Sequence, residues 1–282
     1  MTYTPMSYRD HPMPTFSIPG PAGSLHVVDL REESPEPSSA LPMVFVHGMV
    51  GHTGFWNAAL AACADRRRAV AVDLRGHGNS SAPGNGDYSV AGCASDVLAV
   101  VDALALGPIV LVGHSYGTLV TIDAAVDRPD LVRRLILVDP PFDCTRVSDE
   151  VRNSQFLPFL AALETDKWHD IVEKAFEQAL LGSPTGAAAS VRARFATMPR
   201  DAMLSMYRSM FAYPSAATLE RYLAAPGASA HAILAPANTW PNSLHNLVPA
   251  LTSNVVPNVG HWIMLDAPDR FVAALEQAVA GL

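Results

Sequence analysis

Residues 109–120 read Ile-Val-Leu-Val-Gly-His-Ser-Tyr-Gly-Thr-Leu-Val. The apolar run 109–112 predicts a buried strand, and the periodicity of 116–127 predicts a helix. Between them, residues 113–117 fit the pattern G-x-S-x-G, in which a serine occupies a tight turn from strand to helix. The hydroxyl of Ser115 then projects over the carboxyl edge of a sheet, so this stretch predicts both an α/β fold and a nucleophile.

Short apolar runs on both sides of this stretch predict further strands. They alternate with helix-length segments, and nearly continuous apolar runs are typical of parallel strands covered on both faces. The alternation predicts the α/β class, with a doubly wound, mostly parallel sheet. The predicted strands are 24–30, 42–46, 69–74, 109–112, 135–138, 231–235 and 254–256; the predicted helices are 54–65, 88–106, 116–127 and 267–280; a polar turn is predicted at 31–40.

The pattern changes after Pro141. Residues 151–225 contain no strand-like run, and their helix-length segments are separated by prolines and a Gly-Ser-Pro turn. We therefore expect a core formed by residues 1–140 and 230–282, interrupted by a helical cap at 141–229. The cap is rich in methionine and aromatic residues, which favours an apolar substrate.

A serine hydroxyl is a poor nucleophile near pH 7, so a base must accept its proton. His261 follows Gly260 in the loop between the last predicted strand and the last predicted helix. This position, after the serine in the chain and at a strand end, predicts His261 as the general base.

An acyl-transfer enzyme also needs N–H donors directed at the oxyanion. The run Phe45-Val-His-Gly-Met49 ends an earlier predicted strand. The backbone N–H groups of Met49 and Tyr116 are the predicted donors.

These pieces together resemble the α/β-hydrolase superfamily over essentially the whole chain. The resemblance is carried by His47-Gly48, by the segment Asp73-Leu-Arg-Gly-His-Gly-Asn-Ser80, by the turn around Ser115 and by Gly260-His-Trp262. It implies an α/β-hydrolase fold with an inserted cap. It implies structural roles for Asp73, Arg75 and Ser80.

The acid that orients His261 departs from the commonest pattern of that superfamily. Its members usually carry the acid after the strand that follows the cap, but residues 222–259 contain no Asp or Glu, and that loop offers Asn238 instead. Asp139 ends the strand 135–138 on the same sheet edge as Ser115. Some members, resembling certain haloalkane dehalogenases and zearalenone-type lactonases, place the acid there. Asp139 is therefore the predicted acid, with Asp143 as the alternative.

The residues expected to contact substrate follow from these placements. His47 and Gly48 adjoin the serine, Trp262 is next to the base, and the others lie in the cap or in the loop before the last strand. They are His47, Gly48, Trp262, Trp240, Met206 and Phe211.

The favoured function is hydrolysis of a carboxylic ester or lactone by a serine hydrolase that forms an acyl-enzyme. A cofactor-free oxygenase, a perhydrolase or a lyase on the same fold remains an alternative, as does a hydrolase-like receptor. Some cofactor-free dioxygenases resemble this placement of the acid. Fold alone does not decide between these chemistries.

Composition bounds the class of protein. Of the 282 residues, 49% are apolar and 16% are charged, which is typical of a globular chain. A net charge of −8 argues against nucleic acid and anionic membranes as partners. No apolar run reaches the ~20 residues of a membrane span, and the N-terminal residues do not resemble a secretory signal. We expect a cytoplasmic protein with a small-molecule substrate; association between copies of the chain stays open.

The cysteines give no sign of a metal site. There are three, and they form neither a C-x-x-C pair nor a Cys/His ligand spacing. The chain also lacks a phosphate-binding G-x-x-x-x-G-K-[ST] loop. No metal and no cofactor is therefore implied.

Overall fold

The computed structural model describes residues 13–30, 40–64 and 66–282. Eight strands within these residues form one sheet in the order β1-β2-β4-β3-β5-β6-β7-β8. Strand β2 runs antiparallel to both β1 and β4, whereas all pairs from β4 to β8 are parallel. The predicted α/β class with a mostly parallel sheet is confirmed. The strands are β1 (Thr15–Gly20), β2 (Gly23–Leu30), β3 (Met43–Val46), β4 (Ala69–Val72), β5 (Ile109–His114), β6 (Val132–Val138), β7 (Ser229–Leu234) and β8 (Thr252–Val255).

Helices separate the parallel strands, and six of them lie between β6 and β7. Every residue of β3, β4 and β5 is buried, as expected for strands covered on both faces. None of the helices in the described part of the chain is long and apolar enough to span a membrane. The helices are α1 (Asn57–Cys63), α2 (Val90–Ala103), α3 (Tyr116–Asp127), α4 (Asp149–Val151), α5 (Leu157–Leu163), α6 (Trp168–Ala179), α7 (Thr185–Phe195), α8 (Arg200–Ala212), α9 (Ser215–Leu223), α10 (Leu244–Leu247), α11 (Ile263–Asp266) and α12 (Pro268–Ala278).

Several element boundaries differ from the sequence prediction. Strand β1 was not predicted, because it is an edge strand with one buried side chain, Ile18, and so lacks an apolar pattern. Helix α1 starts later than predicted because Thr53–Trp56 forms a 3-10 turn. Of the predicted turn at 31–40, residues 31–39 lie outside the described residues, as does the predicted helix end at residue 65.

The segment from α4 to α9, termed here the helical insertion (residues 149–223), contains helices and no strand. It is bonded to the core through α8. The hydroxyl of Ser205 accepts a hydrogen bond from the N–H of Tyr88 (3.1 Å), and that of Ser209 accepts one from Val90 (2.9 Å). Since Val90 is the first residue of α2, Ser209 satisfies an N–H group that the helix leaves without a partner. The insertion is therefore attached to the start of α2.

Candidate active site

Ser115 lies in a sharp turn between β5 and α3. Its backbone has φ 51° and ψ −121°, an unfavourable conformation for a residue with a side chain. Its N–H donates to the carbonyl of Val138 at 3.0 Å, which ties the turn to the end of β6. A Cβ on Gly113 would come within 2.4 Å of the carbonyl oxygen of Gly117, so the close approach requires glycine. The strained turn predicted from G-x-S-x-G is present.

Asp139 follows β6 directly and contacts His261. Its Oδ2 accepts a hydrogen bond from Nδ1 of His261 at 2.6 Å. Asp139 also has a positive φ of 44°, which turns its side chain out of the strand direction. The carboxylate is buried, while the His261 side chain keeps 23% of its exposure. The contact predicted between Asp139 and His261 is therefore found, and it leaves Nε2 of His261 as the acceptor nitrogen.

The second oxygen of Asp139 is held by the loop after β7. Its Oδ1 accepts from the N–H of Ala235 and from Nδ2 of Asn238, both at 3.0 Å. The amide of Asn238 is fixed in turn, because its Oδ1 accepts from the hydroxyl of Ser243 at 2.7 Å. Burial by itself raises the pKa of Asp139, but the bonds from His261 and from this loop outweigh it and hold that pKa below its ordinary value. Asp139 therefore stays ionised at neutral pH.

Asp143, the alternative acid, forms hydrogen bonds with other groups. Its Oδ2 accepts from the N–H of Ala216 at 2.9 Å near the start of α9, and its Oδ1 accepts from the hydroxyl of Thr145 at 2.6 Å. Both oxygens thus bind groups within or next to the helical insertion. Asp139, and not Asp143, is the carboxylate in contact with His261.

The turn that follows β3 packs directly on the serine. A Cβ on Gly48 would lie 2.8 Å from Cβ of Ser115. The turn is closed by a hydrogen bond from the N–H of Gly51 to the carbonyl of Gly48, and Val50 within it has a positive φ of 55°. A branched residue in that conformation is strained, and such strain is concentrated at functional sites. Met49 therefore lies in a strained turn beside the serine.

His261 also contacts His114, the residue before Ser115. Nε2 of His114 donates to the carbonyl of His261 at 3.0 Å, and the two rings lie 4.7 Å apart. Among the described residues no hydrogen bond joins Oγ of Ser115 to Nε2 of His261. Such bonds commonly form or shorten only when substrate is bound. Ser115, His261 and Asp139 thus lie at the same edge of the sheet.

A sequence model of the alpha/beta hydrolase family matches residues 43–274. The chain belongs to this family. Among curated relatives, a 2-(acetamidomethylene)succinate hydrolase of Mesorhizobium japonicum is 36% identical over 104 residues, a match that covers 37% of each chain. An sn-1-specific diacylglycerol lipase of Mus musculus is 29% identical over 263 residues, covering 84% of this chain and 80% of that one.

Solved structures show the same alpha/beta hydrolase fold. The enol-lactonase of Burkholderia xenovorans superposes with a TM-score of 0.73, covering 93% of this chain and 98% of that chain. The two sequences are 20% identical, so this likeness concerns the fold alone. The two curated relatives are named as a hydrolase and a lipase.

In this alpha/beta hydrolase the segment 73–80 is structural, as predicted. Oδ1 of Asp73 accepts from the N–H of Thr53 at 2.6 Å, which fixes the 3-10 turn after the Gly48 turn. Nε of Arg75 forms a buried ion pair with Asp96 at 2.6 Å. The hydroxyl of Ser80 donates to the carbonyl of Asp73 at 2.6 Å. These bonds hold the loops that support the site.

Three of the predicted substrate contacts are packed inside the protein. Both ring nitrogens of His47 bind backbone, since Nδ1 donates to the carbonyl of Gly48 (2.8 Å) and Nε2 accepts from the N–H of Leu74 (3.0 Å). Met206 is fully buried on α8. Trp262 is 2% exposed, and its ring lies edge-on against that of His261 at 5.0 Å. All three side chains are thus packed against other parts of the protein, and their contact with substrate stays a prediction.

Two other predicted contacts, Phe211 and Trp240, belong to an aromatic cluster. Phe211 stacks on Phe156 with ring centroids 4.3 Å apart, and Phe156 lies 6.3 Å from Phe142, three residues after Asp139. Trp240 lies 5.6 Å from Phe142 and is 57% exposed. The cluster, defined by Phe142, Phe156, Phe211 and Trp240, therefore extends from the acid's strand end to solvent.

Three buried histidines surround the site in neutral form. Burial lowers the pKa of His47, His77 and His114 to about 3 in each case. His77 donates from Nδ1 to the carbonyl of Arg75 at 3.0 Å, and its Nε2 is buried with no partner among the described residues. All three rings must therefore gain a proton on unfolding below about pH 6.5.

Acid should destabilise this protein steeply, and His77→Gln should weaken the dependence. The unfolded state binds these protons near pH 6.5 and the folded state only near pH 3, so stability falls as pH is lowered between those values. Each ring contributes about 1.4 kcal/mol per pH unit in that window. Urea unfolding at pH 7, 6 and 5 measures the slope, which His77→Gln should reduce by about one proton. If the free energy of unfolding fell by the same amount per pH unit in His77→Gln and in wild type, His77 would not be the neutral buried group inferred here.

One group of side chains in the described part of the chain has the spacing of a metal site. The ligand atoms of His169, Asp170 and Glu173 lie within 4.8 Å of one another on α6, and both carboxylates are exposed. None of the three hydrogen-bonds to Ser115, His261 or Asp139 in the described contacts. In the described contacts this group is therefore not linked to those three residues.

Two contacts near Asp139 and His261 do not follow from local sequence. The bond from Asn238 to Asp139 depends on β7 lying beside β6. Asp266 accepts a hydrogen bond from the N–H of Gly260 at 2.7 Å, and the sequence predicts no role for it. A carboxylate five residues after a candidate base is the one signal that pointed to it.

Proposed function

We propose that this protein is a serine hydrolase that cleaves a carboxylic ester or lactone of an apolar small molecule through an acyl-enzyme. The observation that carries the proposal is the 2.6 Å bond between Asp139 and His261, beside the strained turn of Ser115. Nucleophilic acyl transfer needs three groups: a buried carboxylate, an imidazole with a free acceptor nitrogen, and a serine at the start of a helix.

In the first half of the reaction, Nε2 of His261 accepts the hydroxyl proton as Oγ of Ser115 attacks the carbonyl carbon. Asp139 holds the imidazole by Nδ1 and stabilises the imidazolium. The N–H groups of Met49 and Tyr116 donate to the oxyanion. Tyr116 is the first residue of α3, so its N–H has no partner within the helix and lies at the positive end of the helix dipole.

Collapse of the tetrahedral intermediate expels the alcohol, which takes the proton from His261, and leaves an ester on Ser115. His261 then accepts a proton from water as the water oxygen attacks the acyl carbon. When this second tetrahedral intermediate collapses, His261 returns the proton to Oγ of Ser115 and the carboxylic acid is released. Burial keeps His114 neutral, and the bonds from His261, Ala235 and Asn238 keep Asp139 ionised, through this cycle.

The aromatic cluster supports an apolar substrate. One of its rings, Phe142, is three residues after Asp139 in the chain, and Trp240 is 57% exposed although its burial would be favourable. Relatives named as a diacylglycerol lipase and an enol-lactonase are compatible with such a substrate.

A fluorophosphonate probe combined with an ester screen tests the proposal. The probe should label Ser115 and no residue of Ser115→Ala. p-Nitrophenyl esters of increasing chain length, with several lactones, should be hydrolysed and should protect against labelling. Absence of labelling, or a product that has gained oxygen from O₂, would refute the serine hydrolase and favour an oxygenase on the same fold.

Phe211→Asn should change the preference for acyl chain length. The ring of Phe211 stacks on Phe156 in the aromatic cluster, so a polar side chain removes apolar contact from a long acyl chain and little from acetate. We expect kcat/KM to fall roughly tenfold for octanoate and within about twofold for acetate. Phe16→Asn on edge strand β1 is the matched control and should alter neither. Equal losses on both esters would mean that Phe211 serves only the packing of the insertion.

A further inference from the structure

The main chain that carries His261 is held from three directions. The N–H of Gly260 donates to Oδ2 of Asp266 at 2.7 Å. The N–H of His261 points to the carbonyl of Ala179, at the end of α6, with a nitrogen–oxygen distance of 3.4 Å. The carbonyl of His261 accepts from the ring of His114 at 3.0 Å. One of these three partners belongs to the helical insertion.

Asp266 joins the loop of the base to the insertion by a second bond. The same Oδ2 accepts from the hydroxyl of Ser183 at 2.9 Å, in the turn between α6 and α7. The two segments pack closely, since a Cβ on Gly260 would lie 2.6 Å from Oγ of Ser183 and 3.1 Å from the carbonyl oxygen of Leu181. Gly182 adopts a φ of +90°, which lets the turn come this near.

The remaining atoms of this junction are unusual for a purely stabilising contact. Oδ1 of Asp266 is buried without a hydrogen-bond partner among the described residues. Burial raises the pKa of Asp266, partly offset by its bonds to Ser183 and Gly260. A buried acceptor without a partner is costly, so the junction is poorly explained by stability alone. A neighbouring contact, the stack of Phe176 on Trp262 at 6.0 Å, spans the same two segments.

We propose that Asp266 is a positioning residue which, through Ser183, makes the place of His261 depend on the helical insertion. The bond to Gly260 fixes the backbone directly before the base, and the bond to Ser183 fixes Asp266 to the turn 180–184. Displacement of a catalytic group by about 1 Å can cost roughly a hundredfold in rate. The proposal rests on the serine-hydrolase function, because it concerns the base of that reaction.

A structural role for Asp266 would have a different signature. Loss of a merely stabilising bond lowers the free energy of unfolding and leaves kcat of the folded enzyme unchanged. Loss of a positioning bond lowers kcat and the rate of Ser115 labelling, while KM for a small ester stays the same because substrate does not touch the junction.

Ser183→Ala isolates the bond to the insertion, since the bond from Gly260 to Asp266 remains. We expect kcat on p-nitrophenyl acetate and the labelling rate of Ser115 to fall roughly tenfold, with KM unchanged. Ser190→Ala is the matched control, because the hydroxyl of Ser190 is exposed and donates within α7 to the carbonyl of Gly186. It should equal wild type in kcat, KM and melting temperature.

Asp266→Ala and Asp266→Asn complete the test. An asparagine oxygen can accept both bonds, so Asp266→Asn should keep kcat within about threefold, whereas Asp266→Ala should lose roughly a hundredfold. If Asp266→Ala does not fold, Ser183→Ala and Asp266→Asn decide. Wild-type kcat in Ser183→Ala, measured beside an inactive Ser115→Ala, refutes the positioning role and leaves the hydrolase intact. Retained activity in Ser115→Ala refutes the proposed function instead.

Discussion

Ser115→Ala should lower kcat for ester hydrolysis by about six orders of magnitude, the scale of loss when a serine protease loses its nucleophile. The reason is that no acyl-enzyme can form, while the oxyanion donors and substrate contacts remain. The fold should persist, because the turn is held by backbone bonds such as that from the N–H of Ser115 to Val138. Steady-state kinetics with circular dichroism and a melting curve measure both statements. Turnover near that of wild type would refute the serine mechanism.

His261→Ala should cost nearly as much, and the double variant little more. His261 and Ser115 act in the same step, so once either is removed, the removal of the other lowers kcat little further. The measurement is a double-mutant cycle on kcat with p-nitrophenyl acetate. Additive losses would show that the two residues work in separate steps.

Asp139→Asn should lower kcat by up to about four orders of magnitude, as the equivalent change does in serine proteases. The amide keeps the shape of the side chain, but it cannot stabilise the imidazolium and can hold the wrong tautomer of His261. Its melting temperature should change far less than its rate, because the other oxygen still meets the loop after β7. Activity within tenfold of wild type would refute Asp139 as the acid.

Asp143→Asn is the matched control for Asp139→Asn. Both aspartates are buried and lie four residues apart, but Asp143 binds Ala216 and Thr145 and not the base. Its kcat should stay within about threefold of wild type, whereas its melting temperature should fall, because a buried acceptor is altered. A large loss of kcat in Asp143→Asn, with little loss in Asp139→Asn, would mean that Asp143 is the acid.

Placing a carboxylate in the loop after β7 should restore little of the kcat that Asp139→Asn loses. Nδ2 of Asn238 lies 3.0 Å from Oδ1 of Asp139, on the side of the carboxylate turned away from His261. Asn238→Asp in the Asp139→Asn background should therefore recover less than about tenfold of the lost rate. Near-complete recovery would mean that this loop reaches the base directly.

Much of the fold could be predicted because local patterns are strong in the core. The runs in β3, β4 and β5 are apolar throughout, since both faces of these strands are covered. Edge strand β1 was not predicted, because most of its side chains are exposed and its sequence therefore lacks an apolar periodicity. Helix faces were also ambiguous. Met206 and Phe211 lie five residues apart on α8, yet one is fully buried and the other belongs to the aromatic cluster.

The amino-acid sequence by itself determined the strand-turn-helix around Ser115 and the place of His261 in the loop after the last strand, because both depend on neighbours along the chain. It narrowed the acid to Asp139 or Asp143 by the absence of any carboxylate in residues 222–259. Only the tertiary structure shows which of the two contacts His261, namely Asp139. The parallel pairing of β6 with β7 brings the end of β6 beside the loop of Asn238, where the N–H of Asp139 donates to Ile233 at 2.8 Å. The helical insertion separates β6 and β7 along the chain. Their pairing therefore cannot be predicted from the local sequence of either strand.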